Sequence, residues 1–212
     1  VYVYIPPTLQ QDFEDVLQSP LAKSYTVNFD LTNVVRAILY EPSNSQFKSP
    51  DGSFMLRASD KSVIKKGDYL SIDNTVYLVV WAINETLPNS IKSRVQQCNA
   101  KIDIKRWHDA VLDSNGMFID EAGYNDIVKD LWAVVYNGGR PTFSLSNGVV
   151  GIVPSNDVVV AVQYNVSTQQ IKPDDVLIIN NDSCRVIGID YTQLNTDGQS
   201  GMLLITSQKI PS

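Results

Sequence analysis

The sequence predicts a mainly β protein: two related small β-barrel or sandwich modules, preceded by an N-terminal arm and one short amphipathic helix. Three observations predict it. Short runs rich in β-branched and aromatic residues recur from Lys23 to the C-terminus, bounded by Gly, Pro, Asn and Asp. One stretch of 17 residues, Ile64–Val80 (IKKGDYLSIDNTVYLVV), returns as Ile171–Ile187 (IKPDDVLIINNDSCRVI) at a constant offset of 107 (171 − 64), with seven positions identical. A single segment near the start carries apolar residues at helical spacing.

Taken in order, VYVYI alternates and meets Pro6-Pro7, so it reads as a short extended arm whose pairing proline stops. In TLQQDFEDVLQSP, Thr8 and Gln11 have capping-box spacing, and Leu9, Phe13, Val16 and Leu17 form one apolar stripe. Asp12 suits the early turns, and Ser19-Pro20 ends the helix. The stripe needs a partner, either the chain's own body or a neighbouring subunit. YTVNFD, VVRAILY and SFMLRAS read as strands, with a polar loop at residues 41–52. A second polar loop is expected at 82–93. A long strand follows, VQQCNAKIDIKRW, with Cys98, Ala100, Ile102 and Ile104 on one face and Lys101, Asp103 and Lys105 on the other. Asn115-Gly116 marks a hairpin-type turn. In EAGYNDIVKDLWAVVYN, Tyr124, Ile127, Val128 and Leu131 fit a helix, so a short helix passing into a strand near Leu131 is expected. NGGRP reads as a turn, and TFSL, GVVGIV, DVVVAVQYN and GMLLIT as short strands.

The repeat yields to a pairing argument. With Asp73-Asn74 at the tip of a two-residue hairpin, Ile72 pairs with Thr75 and Leu70 with Tyr77, so Leu70, Ile72, Tyr77 and Val79 share a face. With Asn180-Asn181 at the second tip, Leu177, Ile179, Cys184 and Val186 do the same. The organisation expected is 1–20 arm and helix, 21–108 first module, 109–212 second module.

Composition narrows the chemistry. The chain has 212 residues, 43% hydrophobic and 19% charged, enough for one large or two small cores. No apolar run approaches the roughly 20 residues that span a bilayer. The N-terminus lacks the basic flank and apolar core of a signal peptide; residue 1 is Val rather than Met, which leaves a preceding start residue or longer leader open. The net charge of −6, with 17 Lys+Arg, argues against a protein that grips nucleic acid and suits a surface that DNA slides past. Cys98 and Cys184 make neither a disulfide framework nor a zinc site and read as buried thiols in a reducing compartment, with a Cys98–Cys184 bridge as the alternative. The lone His108 has no identifiable nucleophile, and no phosphate loop, nucleophile elbow or calcium loop is complete. The Asn84, Asn165 and Asn181 sequons read as chance. Trp81 continues the Tyr77/Val79 face and is expected in the core. Trp107 is expected between modules, and Trp81, Trp107 and Trp132 are the sugar-binding candidates if exposed. No cofactor, metal or enzymatic activity is expected.

The residues Lys65/Lys66-Gly67-Asp68, Tyr77-Leu78-Val79 and Cys98-Asn99 resemble the pattern of small neck proteins of tailed bacteriophages, the head-closure, head–tail adaptor and connector family. The stretch VVVAVQYNVSTQQIKPDDVLIIN is similar to the matching segment of longer connectors. Pro173-Asp174 stands in the second copy where the pattern has Lys66-Gly67, and the arm and helix lie outside the resembling stretches. The resemblance implies a homo-oligomeric ring of β-barrels in the neck or tail region of a virion, assembled in the host cytoplasm. Such a ring meets portal, tail or neck proteins, has no membrane partner, and lets DNA pass through its lumen without sequence-specific binding. A tail or baseplate adaptor and a carbohydrate or cell-surface binding module are the alternatives. Subunit contacts are expected at Tyr2, Tyr4, Leu9, Phe13, Val16, Leu17, Phe47 and Leu87.

Overall fold

The structure, a computed structural model, describes residues 7–41, 52–86, 89–137, 141–142, 151–152 and 157–210. Helix α1 (Pro7–Gln18) leads into two closed six-stranded barrels. The first contains β1 (Lys23–Val27), β2 (Asp30–Tyr40), β3 (Ser53–Ser59), β4 (Tyr69–Ile72), β5 (Thr75–Thr86) and β6 (Asn89–Gln97). The second contains β7 (Ala100–His108), β10 (Gly123–Asn137), β13 (Asp157–Gln163), β14 (Val176–Ile179), β15 (Asp182–Asp190) and β16 (Met202–Lys209). Two small strand pairs stand apart from them: β8 (Val111–Leu112) with β9 (Phe118–Asp120), and β11 (Pro141–Thr142) with β12 (Gly151–Ile152).

Ranked by position within each barrel, the strand order is the same in both: 1-2-3-6-5-4, closing through β1–β4 in the first and β7–β14 in the second. Closure removes the unpaired edges that an open sheet would expose. The repeated hairpin is the common centrepiece. Ile72 pairs with Thr75 and Leu70 with Tyr77; Ile179 pairs with Asp182 and Leu177 with Cys184. Both tips are left-handed, with φ of 46° and 64° at Asp73 and Asn74, and 49° and 72° at Asn180 and Asn181. Asn and Asp tolerate that region, which two-residue hairpins of matching twist require. Leu70, Tyr77 and Val79 point into the first core, and Leu177, Cys184 and Val186 into the second.

The likeness extends to bonds invisible in the identities. Asp68 Oδ2 accepts from the Lys65 N–H (2.7 Å), and Asp175 Oδ2 from the Lys172 N–H (2.8 Å). The Val79 N–H donates to Asp68 O and the Val186 N–H to Asp175 O, each at 2.8 Å. A bulge follows at Val79/Trp81 in β5 and at Val186/Gly188 in β15, again 107 residues apart (186 − 79).

Several expectations change. The helix expected over Tyr124–Leu131 is strand: β10 pairs with β7 from Gly123 to Ala133. Bulges between Asp126 and Val128 and between Val128 and Leu131 insert extra residues, with Asp130 at φ 52°. They break the two-residue alternation into a spacing that mimics a helix. The loop expected at 82–93 is largely strand, because β5 runs to Thr86 and β6 starts at Asn89. The bulge after Val79 also turns Trp81 out of the core, to 38% exposure. Trp107 is 51% exposed rather than packed between barrels. The helix starts at Pro7, so Thr8 lies inside it rather than capping it; proline's fixed φ suits a first helical position. The expected division after His108 does not coincide with the point where the chain changes barrel. That point is Cys98-Asn99: the Cys98 N–H donates to Val76 O of the first barrel and the Asn99 N–H to Ala133 O of the second.

The barrels are joined by a third apolar cluster that includes Tyr69, Leu78, Val80, Val134, Tyr136 and Met202. The buried Tyr69 hydroxyl donates to Trp132 O and accepts from the Gln163 N–H. Asn99 bonds both backbone groups of Val135, at 2.8 and 3.0 Å. Gly67, at φ 90°, lies so close to Gly201 that a Cβ on it would sit 1.7 Å from the Gly201 carbonyl oxygen. Only glycine allows backbones to approach this closely.

Candidate assembly surface

Among the described residues no group of three or more His, Cys, Asp and Glu is placed to hold a metal. No helix among them is long and apolar enough to cross a membrane. His108 Nδ1 stands 3.8 Å from Asp120 Oδ2 at the end of β7. Cys98 and Cys184 are both buried free thiols, and burial pushes the Cys98 thiol up to about 12. Buried thiols of this kind are poor nucleophiles.

The helix uses its stripe at home. Leu17 is buried and Phe13 half-buried against the first barrel, while Val16 sits at the rim, 38% exposed. Gln10 Oε1 accepts from the Asn89 N–H, Ser59 Oγ donates to Glu14, and Arg36 Nη2 donates to the Ser19 and Ala22 carbonyls. These bonds tie both ends of α1 to β2, β3 and β6. Of the residues expected at subunit contacts, Leu17 is taken up inside its own chain. Tyr2, Tyr4, Phe47 and Leu87 lie outside the described residues, as does the loop at 42–51, and the Leu9 side chain is likewise outside them.

Two uncovered surfaces stand out instead. The first is the β8–β9 hairpin, set between β7 and β10 at the end of the second barrel. Its turn is well determined: Asp113 Oδ1 accepts from the Asn115 and Met117 N–H groups, both at 2.8 Å, and Gly116 takes φ 80°. Its apolar residues are exposed among the described residues: Leu112 is 51% exposed, Met117 68%, Phe118 69% and Ile119 68%. At its base Trp107 and Tyr124, partners across β7–β10, meet edge to face at 5.1 Å. Residues 108–121 hold Asp109, Asp113, Asp120 and Glu121 and no Lys or Arg. Sequence reasoning found the Asn115-Gly116 turn but missed this surface. The available signal was that apolar residues flank the turn on both strands without alternating, so no single face can be buried.

The second is the outer face of the first barrel. Register places Tyr40 opposite Met55, Met55 opposite Arg94, and Arg94 opposite Trp81 across β2, β3, β6 and β5. One pair further along, Ile38, Arg57, Lys92 and Ile83 form the neighbouring row. Glu85 bridges Arg57 and Lys92. Over these two rows three cations stand against Glu85, with Arg94 half-buried beside Tyr136 and Glu14 of α1 at Ser59 in the next row, so the positive excess is local, in a chain whose net charge is −6. Trp81, Ile83 and Tyr40 remain more than a third exposed.

No curated protein and no solved structure matches the chain. A family model does, the YomX C-terminal domain, over residues 81–208. The matched stretch starts in β5 and takes in β6, the uncovered hairpin and nearly all of the second barrel. It covers well over half of the chain, which therefore belongs to the YomX C-terminal domain family, a phage-associated family.

Proposed function

We propose that the chain is a structural subunit of a bacteriophage particle, forming a ring in the neck between portal and tail around the DNA channel. Family membership supports the phage setting. The observation that carries the assembly role is the uncovered apolar hairpin on a body of two docked barrels. A monomer in water gains nothing from exposing Phe118, Ile119 and Met117 together, whereas a subunit interface does. The acidic balance suits a lumen past which DNA slides. The sequence resemblance to neck proteins favours this site in the particle over a tail or baseplate adaptor, which the same barrels would also suit.

Light scattering of the purified chain, alone and mixed with purified portal, tests the reading. A neck subunit forms an oligomer of defined mass and associates with portal. A chain that stays monomeric and ignores portal contradicts it. Association with tail or baseplate particles alone moves the subunit to the adaptor role, and glycan-array binding through Trp107 and Tyr124 would support a surface-binding module.

A further inference from the structure

We infer that the β8–β9 hairpin of one copy docks on the outer face of the first barrel of a second copy, over Trp81 and Ile83, in a head-to-tail contact. The inference deepens the ring reading and rests on it. The two surfaces are complementary. The hairpin is apolar and acidic, and the barrel face is apolar and basic. At half to two-thirds exposure, the hairpin with Trp107 and Tyr124 leaves on the order of 700 Å² uncovered, close to the roughly 800 Å² per partner of a standard interface.

Among the described residues, the Trp81 face of a chain stands apart from that chain's own hairpin. β7 leaves the barrel crossing at Ala100 and reaches the hairpin only past His108, about 25 Å further along the strand at roughly 3.3 Å per residue. Trp81 lies on the near side of that crossing, in register with Arg94. Two different patches on one chain make a heterologous contact, which repeats from copy to copy and closes into a ring when the rotation allows.

The test uses two variants of the full chain, Ile119→Asp on the hairpin and Trp81→Asp on the barrel face, in sedimentation velocity over a concentration series. Both positions are exposed, and circular dichroism confirms folding; Phe118→Asp and Ile83→Asp serve as second variants at each surface. Each variant alone is expected to associate on the order of tenfold or more weakly than the unaltered chain. An equimolar mixture is expected to give dimers and nothing larger, because it holds one intact pair of surfaces. If Trp81→Asp assembles like the unaltered chain, or the mixture stays monomeric, the contact is wrong while the ring reading stands. If the unaltered chain never self-associates, both fall. Loss of single-stranded oligonucleotide binding in Trp81→Asp with assembly intact would make the face a nucleic-acid site and overturn the contact.

Discussion

The outward faces of the two repeated hairpins occupy equivalent places and have opposite fates. In the first copy Tyr69, Val76, Leu78 and Val80 are buried in the seam. Their counterparts 107 residues on are Val176, Ser183, Arg185 and Ile187. Arg185 is more than half exposed beside Asp174, and Ile187 is 45% exposed. The inward faces, by contrast, are apolar in both copies. Geometry fixes the inside and the tip of this unit, and its outside is free to change. One outside became a dock for the other barrel; the other keeps Val176 buried but carries Ser183 and the exposed Arg185 where the first has Val76 and Leu78. The Asp at the start of each hairpin shows the same freedom on a smaller scale. Asp68 is bonded by the Asn28 side chain at 2.9 Å, whereas the buried Asp175 takes a two-point grip from Arg106 at 2.7 and 2.9 Å.

The sharpest way to break this comparison is at the turn before each hairpin, where Gly67 and Asp174 share the left-handed conformation, φ 90° and 72°. Gly67→Ala meets the Gly201 backbone and forces the seam apart, for a loss of about 4 kcal/mol by urea denaturation. The next effect is at the aspartates. Asp175→Ala strands Arg106 and removes the bond to the Lys172 N–H, a loss of about 3 kcal/mol, against about 1 kcal/mol for Asp68→Ala. Equal losses at the two sites would show that the arginine grip adds nothing over the asparagine.

Tyr69→Phe leaves Trp132 O and the Gln163 N–H without their partner across the seam, for about 2 kcal/mol. It also changes the alkaline limb. Burial raises the Tyr69 phenol above its ordinary value of about 10. Its contribution is therefore complete below that value and is lost as pH rises from there through the folded-state value. The unaltered chain should lose stability above about pH 10 more steeply than Tyr69→Phe, measured by melting at pH 9 to 11; parallel slopes would remove Tyr69 from the seam's energetics. The smallest effect has the opposite sign. Asp174→Gly relieves a left-handed residue whose side chain is 86% exposed and should stabilise by about 0.5 kcal/mol.

The repeated hairpin was legible in the sequence because its tip demands Asn or Asp and its faces alternate. The 1-2-3-6-5-4 winding was not, since it depends on strands β1 and β7 that share no pattern of identities. β10 was misread because its bulges destroy the alternation that reveals a strand. The crossing at Cys98-Asn99 was hidden because apolar alternation runs unbroken from Cys98 to Ile104, so the residue at the crossing reads as part of the strand that follows it. The seam joins Gly67 to Gly201, 134 residues away (201 − 67), and no local pattern announces such a contact. At the candidate surface, the helical stripe was legible, but its partner is the chain's own barrel. The hairpin that now carries the assembly reading looked like a plain turn.

Immunogold electron microscopy of phage particles, with antibody raised against this chain, addresses the neck assignment most directly. A neck subunit places gold at the junction of head and tail. Gold at the tail tip, or particles that carry no label, would contradict it.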